Sequence, residues 1–130
     1  MTIQTQAPLV VVGVLLVYEY KAKLDRVIDG DTVDCFIDLG FNINIKERVR
    51  LKGIDTPETR TRDLEEKAKG LAAKDRVIEL FEGVESFKIK TELDKKGKYG
   101  RILGTIFLPE HTNTSLNDML LQEGHAKVYV

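Results

Sequence analysis

The chain has 130 residues, of which 42% are apolar and 32% charged, and its formal net charge is −1. This size and composition predict one domain with a single packed core, and they exclude global disorder. The charge is unevenly distributed, because residues 43–62 carry six basic and three acidic side chains and residues 88–101 carry six and two. Two basic segments in a near-neutral chain favour a local polyanion site, although such runs are also common on plain solvated surfaces.

Cysteine and histidine are too few for several kinds of site. Cys35 is the one cysteine of the sequence, which excludes an intrachain disulfide and a zinc cluster built on thiolates. Its place in an alternating run predicts a small core side chain. His111 and His125 stand in no ligand or triad pattern. Acid–base chemistry in this chain would therefore fall to carboxylates.

The N-terminal stretch is apolar, with the run LVVVGVLLV at residues 9–17. This run is shorter than the roughly 18 to 20 residues of a membrane span. It also lacks the preceding positive charge and the following small-residue site of a signal peptide. An added strand, a hydrophobic extension and a weak export signal all remain open. We expect residues 1–17 to be an extension and residues 18–130 to form the functional domain.

Three strands of a meander are predicted next, over residues 18–28, 32–38 and 43–54. The dipeptide Asp29-Gly30 between the first two is a strong signal for a hairpin, whose type I′ turn needs positive φ. Along the third strand, Val49 and Leu51 face one way and Arg50 faces the other. Three strands alone leave an exposed edge, which favours closure into a barrel by later strands.

The second half of the chain is predicted to hold a long helix, two strands and a short helix, at residues 61–81, 86–91, 101–108 and 115–123. The apolar stripe predicted for the long helix consists of Leu64, Ala68, Leu71, Ile78 and Phe81. Gly70 within this helix costs about 1 kcal/mol relative to alanine, while Thr61 or Asp63 can cap its start and Ser115 that of the short helix. We expect a mainly β, α+β fold: a five-stranded OB-fold β-barrel with one long and one short helix.

Acids and arginines collect where these strands end. Asp31 follows the first turn and Asp55 ends the third strand, so the barrel can bring both to one rim as half of a site for a hard divalent cation. Arg50 and Glu58 belong to the same stretch, RVRLKGIDTPET, and Arg101 opens the last strand. A guanidinium suits phosphate oxygens, and a carboxylate suits the proton of an attacking water. Ordinary turn chemistry and solvated strand ends also account for these residues one at a time.

Three motifs in this order, DGDT at residues 29–32, RVRLKGIDTPET at 48–59 and KYGR at 98–101, resemble the thermonuclease, or staphylococcal-nuclease-like, family. The resemblance runs from about Tyr18 to Tyr129. It implies an OB-fold nuclease that hydrolyses phosphodiester bonds of DNA and RNA, uses Ca²⁺ and leaves 3′-phosphate ends.

The resemblance also implies a role for each matched residue. The implied metal ligands are Asp31, Asp55 and, through its backbone carbonyl, Thr56. The implied catalytic residues are Arg50, Glu58 and Arg101, with Glu58 acting on the attacking water and the arginines on the phosphate. The implied substrate contacts are Lys98, Tyr99 and Tyr129. Tyr129 would pack against a nucleotide base, at a spacing one residue shorter than in the family.

Two other functions remain open from the sequence, a non-catalytic nucleic-acid-binding barrel and a barrel that binds peptides. The complete set of acids and arginines favours catalysis over both. The expected partner is single-stranded or frayed DNA or RNA, and with no stable protein partner implied we expect a monomer. A single cysteine favours the cytoplasm, whereas export and membrane contact depend on the role of residues 1–17 and stay open.

Overall fold

The computed structural model describes residues 8–12, 15–94 and 101–129. Its elements in chain order are β1 (Pro8–Val12), β2 (Leu15–Asp29), β3 (Thr32–Asp38), β4 (Asn44–Leu51), β5 (Ile54–Asp55), α1 (Leu64–Phe81), β6 (Phe87–Leu93), β7 (Ile102–Phe107), α2 (Leu116–Gln122) and β8 (Lys127–Val128). Neither helix in this part of the chain is long and apolar enough to cross a membrane.

Five strands close into a barrel, which confirms the predicted α+β architecture. Antiparallel pairing joins β2 to β3, β3 to β4 and β6 to β7. The parallel pair β4–β7 and the antiparallel pair β2–β6 complete the ring. Each barrel strand therefore has two neighbours, and closure removes the open edge that a three-stranded meander would leave.

The N-terminal strand extends this sheet. β1 pairs antiparallel with the first residues of β2, and β2 itself begins at Leu15. Strand β2 thus runs across the predicted boundary between residues 17 and 18. The functional role of residues 1–17 stays a prediction.

The barrel core follows the alternation of the strands. Val33, Cys35 and Ile37 of β3 are all buried, which confirms Cys35 as a small core residue. Burial, together with the nearby carboxylates of Asp34 and Glu47, raises the pKa of the Cys35 thiol to about 12. The thiol is therefore neutral and unreactive at physiological pH.

Helix α1 buries a different face from the predicted one. Its buried residues are Gly70, Ala73, Val77 and Phe81. The predicted stripe is wrong at Leu64, Leu71 and Ile78, which are 79%, 42% and 42% exposed. It is also wrong at Ala68, which is exposed. Small residues on the buried face let the helix axis approach the barrel closely, so the larger apolar side chains of α1 lie partly in solvent. The cap is as predicted: the carboxylate of Asp63 accepts hydrogen bonds from the first free N–H groups.

Two details of the predicted turns are wrong. The third strand does not run unbroken to Ile54, because the chain turns at Gly53, whose φ is 79°, and β5 then pairs with β8 instead. The first hairpin forms, but Gly30 is not among the residues with positive φ. A Cβ on Gly30 would lie 2.9 Å from the Cβ of Ala73 and 3.0 Å from Cγ2 of Thr56. Close packing beneath α1, rather than turn type, accounts for this glycine.

Candidate functional site

The ends of β3 and β4 bring an arginine and two aspartates together. Thr32 pairs with Arg50 in the sheet, which places Asp31 at the same rim of the barrel. Arg50 Nη1 is 2.9 Å from Asp31 Oδ2, and Arg50 Nη2 is 3.3 Å from Asp55 Oδ1. Nη2 also donates a hydrogen bond of 3.2 Å to the carbonyl oxygen of Ile54. One guanidinium therefore bridges both carboxylates.

Arg50 is held in a partly enclosed environment, with 14% of its side chain exposed. Burial opposes its charge, but Asp31 and Asp55 outweigh burial and raise the pKa of the Arg50 guanidinium above its usual range. The ring of Tyr129 covers the guanidinium, with 5.1 Å between Arg50 Cζ and the ring centroid. Tyr129 is itself anchored by a hydrogen bond of 2.9 Å from its backbone N–H to the carbonyl oxygen of Gly53.

Asp31 is buried and accepts two further hydrogen bonds. Its Oδ1 accepts from the hydroxyl of Thr32 at 3.0 Å, and its Oδ2 accepts from the backbone N–H of Thr56 at 3.2 Å. The side-chain oxygen of Thr56 is buried and has no hydrogen-bond partner in the part of the chain that the structure describes. This hydroxyl lies against Gly30, 3.1 Å from the position that a Cβ on that glycine would take.

A cleft of about 510 Å³ lies beside this cluster. Asp55, Thr56 and Glu58 line one side of it, and the start of α1 and the C-terminal residues line the rest, including Asp63, Glu65, Glu66, Lys69, His125 and Lys127. Glu58 is exposed. Two of the predicted metal ligands, Asp55 and Thr56, and the predicted catalytic acid therefore border one cleft, whereas Asp31 lies behind them, in contact with the backbone N–H of Thr56.

The loop that carries Glu58 is fixed on both sides. The hydroxyl of Thr59 donates a hydrogen bond of 2.5 Å to Asp29 Oδ1. On the other side, Gly70 of α1 packs directly on the loop backbone, since a Cβ there would lie 2.7 Å from the carbonyl oxygens of Pro57 and Glu58. Sequence reasoning missed this role, because it treated Gly70 only as a cost to the helix. The available signal was a glycine inside an otherwise regular helical segment.

Arg101 lies apart from the Arg50 cluster. Its Nη2 is 2.8 Å from Asp94 Oδ2, and its backbone carbonyl accepts a hydrogen bond from the N–H of Asp94. Its position is nevertheless close to the cluster along the sheet, because the next residue, Ile102, pairs with Val49 of β4. Its role at a phosphate stays a prediction. Lys98 and Tyr99 lie outside the described residues.

The donor atoms suit a hard cation. Within residues 8–12, 15–94 and 101–129, no three side chains of histidine, cysteine, aspartate or glutamate form a complete metal site. Asp31 and Asp55 supply carboxylate oxygens, which hard divalent cations prefer, and both already contact a single cationic group. Two carboxylates of this kind fit a partly hydrated ion whose remaining ligands come from backbone oxygens, water or substrate.

Comparison with known proteins indicates the same family as the sequence motifs. Residues 48–130 match the family model described as staphylococcal nuclease homologue. An uncharacterized protein of Methanocaldococcus jannaschii is 33% identical over 133 residues, covering 85% of this chain and 60% of that protein. Micrococcal nuclease of Shigella flexneri is 30% identical over 129 residues, covering 95% and 66%. The SPbeta prophage-derived endonuclease YokF of Bacillus subtilis is 38% identical over 108 residues, covering 81% and 33%.

The chain thus spans between a third and about two thirds of the length of these relatives. The region matched by the family model includes the motif RVRLKGIDTPET with Arg50, Asp55 and Glu58, and it extends past Tyr129. This match confirms the resemblance that the sequence motifs indicated. The chain belongs to the family of staphylococcal nuclease homologues.

Proposed function

We propose that this chain is a Ca²⁺-dependent nuclease that hydrolyses phosphodiester bonds of DNA and RNA and leaves 3′-phosphate ends. The observation that carries the proposal is the Arg50 guanidinium, held between Asp31 and Asp55 beside the cleft that Glu58 lines. Membership of the family supports a nucleic-acid substrate, and two of the similar proteins are named as a nuclease and an endonuclease.

Each residue of the cluster has a separate role in the proposed reaction. Asp31 and Asp55, with the carbonyl of Thr56, would hold the cation. When bound, calcium supplies positive charge that neutralises the phosphate and polarises a water molecule. Glu58 orients that water and accepts its proton, because it is an exposed carboxylate at the cleft wall. Once Asp31 and Asp55 bind the cation instead, Arg50 would donate to phosphate oxygens and stabilise the charge that grows as water attacks phosphorus. The P–O5′ bond then breaks, which leaves a 3′-phosphate on one product and a 5′-hydroxyl on the other.

The remaining predicted contacts would bind the substrate strand. Arg101 would give a second guanidinium to the phosphate after leaving Asp94. The Arg101 side chain is about half exposed, whereas that of Asp94 is 11% exposed, so the guanidinium can reach solvent and exchange this carboxylate for a substrate phosphate. Lys98 and Tyr99 would contact neighbouring phosphates, and Tyr129 a base.

A non-catalytic nucleic-acid-binding barrel is the second candidate, favoured by the exposed basic side chains along β2 and β4. Digestion of labelled single-stranded DNA and RNA, with calcium or with a chelator, separates the two. We expect hydrolysis with calcium alone, and labelled product ends that a phosphatase converts to 3′-hydroxyls. Hydrolysis in both conditions, or binding without hydrolysis in either, would contradict the proposal.

Substitution of Glu58 tests the chemical step. Glu58→Gln should lower the cleavage rate by roughly 10²-fold or more, the usual contribution of a positioned general base, while the affinity for substrate remains. Glu65→Gln is the matched control, since Glu65 lines the same cleft from α1. Calorimetric titration with calcium provides a readout without turnover: Asp31→Asn should weaken calcium binding, whereas Glu65→Gln should not.

A further inference from the structure

We propose that the outward face of β2, β3 and β4 binds a single strand of DNA or RNA where it leaves the cleft. This basic sheet face consists of Lys21, Lys23 and Arg26 on β2, Asp34, Phe36 and Asp38 on β3, and Asn44, Lys46 and Arg48 on β4. The inference rests on the proposed function, which supplies the substrate, and it adds a second surface that the cleft residues do not include.

One row across the three strands reads lysine, phenylalanine, lysine. Phe36 pairs with Lys23 of β2 on one side and with Lys46 of β4 on the other. Phe36 is 39% exposed although it lies in the middle of a sheet. An exposed aromatic ring between two cations is the arrangement that single-strand-binding barrels use, with a base stacked on the ring and phosphates beside it.

The next row reads arginine, aspartate, arginine. Asp34 is only 6% exposed, and it holds the guanidinium groups on both sides of it. Arg48 donates to both carboxylate oxygens at 2.8 and 3.2 Å, and Arg26 donates at 3.4 Å. One carboxylate therefore positions two guanidinium groups and leaves the row with one net positive charge. Each guanidinium has five N–H groups, and those not directed at Asp34 are available to phosphate oxygens.

The charge of this face differs from that of the whole chain. The face carries five cations and two carboxylates, and Asp25 at the β2 bulge adds a third carboxylate, 3.0 Å from Lys46. The local net charge is +2, against −1 for the chain. The pair with Asp25 leaves 55% of the Lys46 side chain exposed, and exposed pairs of this kind are weak enough for a phosphate to replace.

The basic sheet face is continuous with the candidate site. Arg50, Arg48 and Lys46 occupy alternate positions of β4, so they lie on the same side of the strand. Alternate residues of an antiparallel strand are about 6.8 Å apart, which places Lys46 roughly 14 Å from Arg50. A strand with one phosphate at Arg50 would therefore pass Arg48 and reach Phe36 within a few nucleotides.

Binding of a fluorescein-labelled dT20 oligonucleotide, followed by anisotropy in a chelator so that no cleavage occurs, tests the inference. Phe36→Leu should raise Kd at least about fivefold, the loss of one stacked base, whereas Phe36→Tyr should bind as the wild type does. Lys23→Gln/Lys46→Gln should lower the slope of log Kd against log salt by about 1.4, since each single-strand phosphate contact contributes about 0.7. The matched control is Lys67→Gln/Lys74→Gln on α1, which should leave the slope unchanged.

Hydrolysis of the dinucleotide TpT with calcium separates this inference from the proposed function. The face variants should cleave TpT at the wild-type rate and show a raised KM only on dT20. If no protein cleaves TpT or dT20 but the anisotropy changes occur, the nuclease proposal fails and the binding face stands. Wild-type binding of dT20 by both Phe36→Leu and the Lys23/Lys46 variant would overturn the inference. Circular dichroism checks that each variant is folded. If Phe36→Leu is unstable, dT20 binding by the Lys23→Gln/Lys46→Gln variant decides the outcome.

Discussion

Arg50 combines a structural and a proposed chemical role in one side chain. It contacts Asp31, Asp55 and the carbonyl of Ile54, and the ring of Tyr129 covers it. These contacts come from the turn before β3, from β5 and from the residue after β8, so the guanidinium holds three separate segments together. In the proposed reaction the guanidinium would exchange its contacts with Asp31 and Asp55 for a phosphate, while the Ile54 carbonyl and the Tyr129 ring keep it in place.

Tyr129 can be tested as a positioning residue for Arg50. A cation–π contact at an exposed site contributes about 0.5–1 kcal/mol, so Tyr129→Leu should lower kcat on single-stranded DNA roughly two- to fivefold. Tyr129→Phe keeps the ring and should retain the wild-type kcat. If Tyr129→Leu instead raises KM at constant kcat, the ring acts on a substrate base, as the family resemblance implies, and not through Arg50.

Asp34 makes stability depend on pH. Hydrogen bonds from Arg48, partly opposed by burial and aided by Arg26, hold the pKa of Asp34 below its ordinary value. The folded state therefore binds this proton less readily than the unfolded state. The resulting stability is present above about pH 4, near the unfolded pKa, and is lost as the pH falls through the folded pKa.

Urea unfolding between pH 7 and pH 3 checks this prediction. Asp34→Asn should lower the free energy of unfolding at pH 7 and should lose less stability than the wild type on acidification. Asp75→Asn, at an exposed position of α1, is the control and should follow the wild-type profile. An Asp34→Asn curve parallel to the wild-type curve over this range would refute the coupling.

At the scale of elements, helix α1 acts as a support for the loop between β5 and α1. Its buried residues are small near the start, Gly70 and Ala73, and larger toward the end, Val77 and Phe81. The helix can therefore lie against the Pro57–Glu58 backbone at its start and fill the core at its end. The position of Glu58 depends on this contact as much as on the loop itself.

Gly70→Ala measures the importance of that contact. Helix propensity alone would stabilise the variant by about 1 kcal/mol, but the new Cβ would lie 2.7 Å from two backbone oxygens, and overpacking costs about 1–3 kcal/mol. We expect lower stability in urea and a reduced cleavage rate, because the loop with Glu58 must move. Lys67→Ala, at an exposed position of the same helix outside the cleft lining, should change neither by much. A Gly70→Ala protein more stable than wild type and fully active would show that the loop accommodates the methyl group.

At the scale of the whole molecule, local sequence patterns predicted the barrel. They did not predict the contacts between segments that are distant in the sequence. Alternation in residues 32–38 and the caps Asp63 and Ser115 are local signals, and the structure confirms them. The buried face of α1 and the reason for Gly30 depend on packing between segments that lie far apart in the sequence. The same holds for the contact of Tyr129 with Arg50, which needs the chain to turn at Gly53 and β8 to pair with β5.

Closure of the barrel depends on the parallel pair β4–β7, which joins the two halves of the chain. Asn117 of α2 lies at the end of this pair and is buried. Its side-chain amide donates to the carbonyl oxygens of Lys52 and Gly104 at 2.9 and 3.0 Å, and its Oδ1 accepts from the N–H of Ile106 at 3.2 Å. One side chain thus ties the helix to both strands where the barrel closes.

Asn117→Ala should therefore destabilise the whole domain. Gly104 keeps a hydrogen bond from the N–H of Lys52, but the Lys52 carbonyl and the Ile106 N–H lose the amide partner, and each buried group left unpaired costs about 1–3 kcal/mol. We expect the free energy of unfolding to fall by roughly 3 kcal/mol in urea titrations. Asn113→Ala, at an exposed position before α2, should stay within about 0.5 kcal/mol of wild type. A loss for Asn117→Ala no larger than that of the control would mean that water or backbone shifts replace the amide, and that closure depends on the apolar core alone.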